Sequence, residues 1–259
     1  MIAFILRITK SFGQNEVRRH AASAAFYIVV SALPIVTILV YGLSCLSPAL
    51  QGELVQFLER LLPGAFSKHL YRIVTSIKQK HLPILVPFSV LAALWGSTKG
   101  VEALCSGTES IYGTKRKRSL ILRWLKAAER TLAFYLAFIG SLLIFALGKL
   151  LRAPSATVYL ILSLRICAFA VALSLFLTYF YARLANSSFK KHLVGGIVAA
   201  IGWMIFTFLY SIYVTIALSS LSIYAEMGTA IFFMLWVYFC VNIILLGAEI
   251  NKALALSRI

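Results

Sequence analysis

The chain has 259 residues, of which 61% are hydrophobic and only 13% charged, and its mean hydropathy is +0.91. Soluble domains are roughly 45–50% apolar and about 25% charged, so a soluble core could not hide this much apolar surface. The net charge of +17 calls for anionic partners, and lipid headgroups and nucleic acid both qualify until the placement of the charge decides.

In residues 1–20, Ile2, Phe4, Ile5, Ile8 and Phe12 are interspersed with Arg7 and Lys10, which predicts a short helix lying on the inner leaflet. No small-residue cleavage site precedes the first long apolar stretch, so no cleavable signal is expected. A bilayer core needs roughly 20 helical residues, and six stretches reach that length: 24–46, 82–104, 131–149, 156–182, 194–218 and 227–249. Between the first two, residues 48–81 carry Leu50, Leu54, Phe57, Leu58, Leu61 and Leu62 at helical spacing, then Pro63–Gly64, then Phe66, Leu70, Ile73, Val74 and Ile77. This predicts two amphipathic helices that either lie in the outer interface or form a lid over a cavity between the spans. Residues 105–130 read as a basic loop. The predicted fold is all-α, a single polytopic membrane bundle of six transmembrane helices plus amphipathic interfacial helices.

Orientation follows from the basic residues. With the N-terminus inside, the cytoplasmic segments carry sixteen Lys and Arg and the outer segments seven, while Lys99 and Arg165 lie in or near spans. Both termini are therefore expected in the cytoplasm. The run Lys115, Arg116, Lys117 and Arg118 then sits at the inner interface, where anionic headgroups stabilise it by about 1 kcal/mol per basic residue. Base recognition would want aromatics interleaved with the charges, and Trp124 alone is near. The expected partners are membrane lipids with anionic inner-leaflet headgroups, with no nucleic acid; the oligomeric state is not legible.

The chemistry-bearing residues are few. The chain has no aspartate, and its glutamates at 16, 53, 59, 102, 109, 129, 226 and 249 are scattered. Metal-assisted phosphodiester cleavage uses convergent oxygen ligands, and a zinc site wants clustered His or Cys. His20, His69, His81 and His192 are isolated, and Cys45, Cys105, Cys167 and Cys240 stand singly as expected small buried hydrophobes. No catalytic residue, metal or cofactor is expected.

Four blocks carry a resemblance: AASAAFYIVVSALPIVTILV (21–40); LWGSTKGVEAL…SIYG (94–113); YARLAN (181–186) with GGIVAAIGWMIF (195–206) and SIYV (211–214); and LWVYFCVNIILLGAEINKAL (235–254). In this order and spacing they resemble the YihY/BrkB family of bacterial inner-membrane proteins, long labelled ribonuclease BN. The chain departs from the pattern at Glu109, at Ala185 and at Ala225–Gly228. The resemblance implies a six-span helical protein of the bacterial cytoplasmic membrane and supplies no agreed reaction.

Ionisable groups within spans cost at least about 2.5–3.5 kcal/mol at a helix centre and mark candidate sites. Arg165 lies roughly 13–14 Å down the fourth span. It either snorkels to the outer face or faces a polar cavity, where Glu226 or an anionic headgroup could pair with it. The resemblance, which includes an arginine near this place, favours the second. Lys99, Glu102, Ser106 and Glu109 share an arc of about 80° on one helix, with Lys99 and Glu102 placed to pair. That stripe is either an amphipathic extension into the cytoplasm or the wall of a polar pathway with Glu249 and Asn251 as neighbours. Gly195/Ala199 and Gly196/Ala200 form small-xxx-small pairs for close helix approach, Pro34 is expected to kink the first span, and Asn242 to bridge spans. The functional expectation is a transporter or translocator of a lipid or other anionic amphiphile, with a non-catalytic envelope-integrity or assembly factor as the alternative and a membrane-bound ribonuclease last.

Overall fold

A computed structural model describes residues 13, 15–44, 85–114, 155–220 and 225–256, all helix or connecting turn. The helices are α1 (Val17–Ser44), α2 (Leu85–Tyr112), α3 (Ser155–Ala185), α4 (Leu193–Ser220) and α5 (Ala225–Leu256), with a 3₁₀ turn at Phe189–His192. The expected helices at 1–12, 48–81 and 131–149 lie outside the described residues. Four segments among those described are long and apolar enough to cross a membrane: Val17–Ile38, Ile166–Ala185, Phe189–Ala217 and Ile231–Leu256. α2 is not among them, because Gly96–Thr98, Lys99, Glu102 and the small polar residues of 106–110 dilute its apolar content.

Lipid tails are as apolar as leucine, so burying apolar surface gives little drive for helices to associate in a bilayer; close backbone approach and hydrogen bonds do more. The sequence provides for this. Gly96, Gly100 and Gly107 fall within about 40° of each other around α2. A β-carbon on them would meet Ser31 at 2.9 Å, Ile28 at 2.8 Å and His20 at 3.0 Å respectively. α1 therefore runs antiparallel to α2, with Ala21, Ala24 and Ala25 fully buried. The AASAAF block is the surface that α2 packs against.

The expected small-residue pairs behave alike. A β-carbon on Gly196 would run into Thr178 of α3, and one on Gly195 into Gly247 and Asn251 of α5. A β-carbon on Gly247 would in turn meet the Gly195 carbonyl at 2.6 Å and the Tyr181 hydroxyl at 2.7 Å. Further along α4 and α5, Trp203 Nε1 donates to Cys240 Sγ at 2.6 Å and the Tyr210 hydroxyl to the Phe232 carbonyl at 2.6 Å. Outward faces carry Leu33, Phe208 and Ile216, all more than 60% exposed, the surface a bilayer would cover.

Two helices stop the same way. Gly113 (φ 69°) follows α2 and Asn186 (φ 53°) follows α3. The next amide, of Thr114 or Ser187, reaches back to the carbonyl of Glu109 or Ala182 at 3.0 and 3.2 Å. This is the Schellman closure, which needs a left-handed residue that Gly or Asn adopts most readily. The boundary of α2 is thus set by Gly113, not by the loss of hydropathy after 104. Residues 105–112, read from sequence as the head of the basic loop, are helical, and Thr108 and Ile111 are fully buried.

Two smaller expectations fail. Asn242 does not bridge helices; its amide donates to the Tyr238 carbonyl of its own helix at 2.8 Å, the local alternative open to any asparagine. Cys105 and Cys240 are buried as expected, but Cys167 is exposed on α3.

Candidate functional site

The antiparallel packing brings five chain segments to one end of the bundle: the entry to α1, the C-terminal ends of α2 and α3, the start of α4 and the last turns of α5. Asn251 is at the centre, 2% exposed. Its Oδ1 accepts the Gly195 N–H at 2.8 Å, and its amide nitrogen reaches the His192 carbonyl at 3.2 Å and the Tyr112 hydroxyl at 3.5 Å. The Tyr112 hydroxyl lies 3.2 Å from His192 Nδ1, and the Ser187 hydroxyl 2.5 Å from His192 Nε2. Glu249, 1% exposed, accepts from the Asn15 amide at 2.7 Å. Thr114 Oγ1 donates to the Leu184 carbonyl at 3.1 Å, and the buried Tyr181 hydroxyl to Ile244 at 2.6 Å.

One donor in this network is unambiguous, and it sets the Asn251 amide. The Gly195 backbone N–H can only donate, so the Asn251 carbonyl oxygen faces it and the amide nitrogen faces Tyr112. Tyr112 and Ser187 then hold the two His192 ring nitrogens between two hydroxyls, each of which can donate or accept according to the tautomer. Burial pushes the Tyr112 phenol well above the ordinary tyrosine range, which keeps it neutral.

The sequence-derived candidates divide into three groups. Glu249 and Asn251 both belong to this junction. Lys99 and Glu102 pair at 3.1 Å, half-buried, near the middle of α2, thirteen residues or about 20 Å from Tyr112; Glu109 is half-buried one turn before the junction. Arg165 falls in α3 and Glu226 in the first turn of α5, but their side chains, like Lys115, Arg116, Lys117 and Arg118, lie outside what is described. Reasoning from sequence missed Asn15, Tyr112, Ser187 and His192 as partners, and read His192 as isolated. The available signal was that Tyr112 lies in SIYG, Tyr181 opens YARLAN and Asn251 ends LGAEIN, three of the quoted blocks. Among the described residues no group of three His, Cys, Asp or Glu could hold a metal.

The profile of the family described as "Virulence factor BrkB" matches residues 8–258. The chain is 22% identical over 263 residues to a Bacillus subtilis (strain 168) protein named as ribonuclease-like protein YfkH, covering 98% of this chain and 95% of that one. No solved structure matches. A profile match across nearly the whole chain, over helices long and apolar enough to cross a bilayer, makes this a membrane protein of the BrkB family.

Proposed function

We propose that the protein is a six-span protein of the bacterial cytoplasmic membrane, both termini inside, that moves a lipid or other anionic amphiphile between leaflets. The Lys99–Glu102 pair carries this reading. Two ionisable side chains pair with each other at mid-helix, 3.1 Å apart and 37% and 22% exposed. In a bilayer such groups are costly and mark a candidate polar path. Arg165, Glu226, Glu109, Glu249 and Asn251 are the other residues assigned to that path, and Lys115–Arg118 anchor the inner loop on anionic lipid.

Chain direction supports the span count. α2 and α3 both end at the junction, joined by the Thr114–Leu184 hydrogen bond. A chain that leaves α2 at this end and enters α3 at the other needs an odd number of crossings between 115 and 154. We assign one such crossing to the apolar stretch 131–149 on its sequence. α1 and α2 run antiparallel, so residues 45–84 begin and end at the far side, as expected of an outer helix pair.

The test is lipid scrambling in vesicles containing fluorescent phosphatidylglycerol. Wild type should exchange label faster than protein-free vesicles, and Lys99→Ala/Glu102→Ala more slowly than wild type. Equal rates for all three would remove the translocator reading. A second reading, a non-catalytic assembly or envelope-integrity factor, is supported by the junction itself, where Asn15, Tyr112, Gly195, His192 and Asn251 all bond within the bundle. Ribonuclease activity, the sense of the Bacillus protein's name, ranks last. RNA cleavage by pure protein, lost in Glu249→Gln, would reinstate it.

A further inference from the structure

The turn between α3 and α4 forms an open depression of about 530 Å³, lined by Tyr179, Ala182, Arg183, Asn186, Ser187, Ser188 and Phe189. Its polar lining comes from Arg183, Asn186, Ser187 and Ser188, all exposed. Arg183, Lys190 and Lys191 are exposed and make no ion pair among the described residues, and the nearest acids in sequence are Glu129 and Glu226. Ser188 precedes the 3₁₀ turn without capping it through its side chain. Ser187 is exposed, with its hydroxyl 2.5 Å from His192 Nε2. Tyr179 and Phe189 are 58% and 38% exposed at the edges, amphipathic and apolar rings of the kind that sit at headgroup level.

We infer that this depression docks a phosphate-bearing headgroup, with Arg183 holding the phosphate oxygens and the Ser187 and Ser188 hydroxyls donating to them. The chemistry favours phosphate over a carboxylate. A guanidinium fork and two hydroxyls suit a group with several acceptor oxygens, and Lys190 and Lys191 add screened attraction at longer range. Tyr179 and Phe189 then lie where the glycerol and first acyl carbons of a bound lipid would pass. The inference rests on the membrane reading, with this end of the bundle at the inner interface, but not on translocation.

The experiment measures lipid retained by the detergent-solubilised full-length protein, by native mass spectrometry, across a titration of phosphatidylglycerol or phosphatidylcholine. Wild type should retain phosphatidylglycerol preferentially. Arg183→Ala should weaken retention about tenfold and Ser187→Ala about threefold, as expected for loss of a charge-assisted and a neutral hydrogen bond. Arg183→Lys should fall between wild type and Arg183→Ala. Arg18→Ala removes an exposed charge at the same end of the bundle and should leave retention unchanged. Unchanged retention in Arg183→Ala, or an equal loss in Arg18→Ala, overturns the site in favour of diffuse attraction. Unchanged melting temperatures exclude misfolding of the variants. Glycerol 3-phosphate and inorganic phosphate are added as competitors: displacement assigns the site to a soluble phosphate, and retention of the lipid assigns it to the membrane. Scrambling that survives in Arg183→Ala after selective binding is lost leaves translocation standing without this site. Selective binding in a protein that does not scramble removes translocation and leaves the site.

Discussion

At the residue scale, glycine and asparagine decide how the bundle closes. Gly195 and Gly202 both lie in α4, but a β-carbon at 195 would run into Gly247 and Asn251, whereas one at 202 would meet only Ile243 Cγ2 at 3.3 Å. Gly195→Ala should therefore cost about 1–3 kcal/mol through overpacking. Gly202→Ala should fall within about 1 kcal/mol of wild type, because alanine's helix propensity offsets a small shift of the isoleucine tip. Thermal melts in detergent distinguish the two, and equal melting temperatures would refute the close approach of α4 and α5. Asn251 and Asn242 make a similar contrast on α5. Asn251→Ala leaves the buried Gly195 N–H without its acceptor, a loss of about 1–3 kcal/mol. Asn242→Ala removes only a bond back to its own helix and should cost less than about 0.5 kcal/mol. Melting curves of the pair check this, and a larger loss at Asn242 would contradict the assignment.

At the element scale, helix ends matter more than helix centres. Hydropathy marks where a span can cross but not where its helix stops, which is why α2 continues to Tyr112 past the expected boundary at 104. The added turns carry Tyr112 to His192 and Thr114 to Leu184. Nothing lies within 4 Å of a β-carbon built on Gly113, so Gly113→Ala should cost only the left-handed strain, about 1–2 kcal/mol. Asn186→Gly keeps the permitted backbone and should be close to neutral. Limited proteolysis in the segment following Gly113 gives the readout: faster cleavage in Gly113→Ala than in Asn186→Gly is expected, and the reverse order would mean that the two closures are not equivalent.

At the scale of the whole molecule, the directions of the five helices, with α2 and α3 both ending at the junction, predict the sidedness of the connections. A reporter fused after Lys117 should read cytoplasmic, and one fused after Arg152 should read outer. Both on the same side would remove the crossing assigned to 131–149 and with it the sixth span. Composition, the spans corresponding to α1, α3, α4 and α5, the small-residue pairs at 195–200 and the motif blocks were all legible in the sequence, because hydropathy and helical spacing are sums over neighbours along the chain. The meeting of Asn15 with Glu249, of Tyr112 with His192 and of Gly195 with Asn251 spans 234, 80 and 56 residues. No local sum contains such pairs. They exist because glycine faces let antiparallel helices approach closely enough, and in one register, for their ends to share hydrogen bonds. The sequence by itself determined a helical membrane protein and marked Glu249 and Asn251; only the packing decided that these join Asn15, Tyr112, Ser187 and His192 in one network.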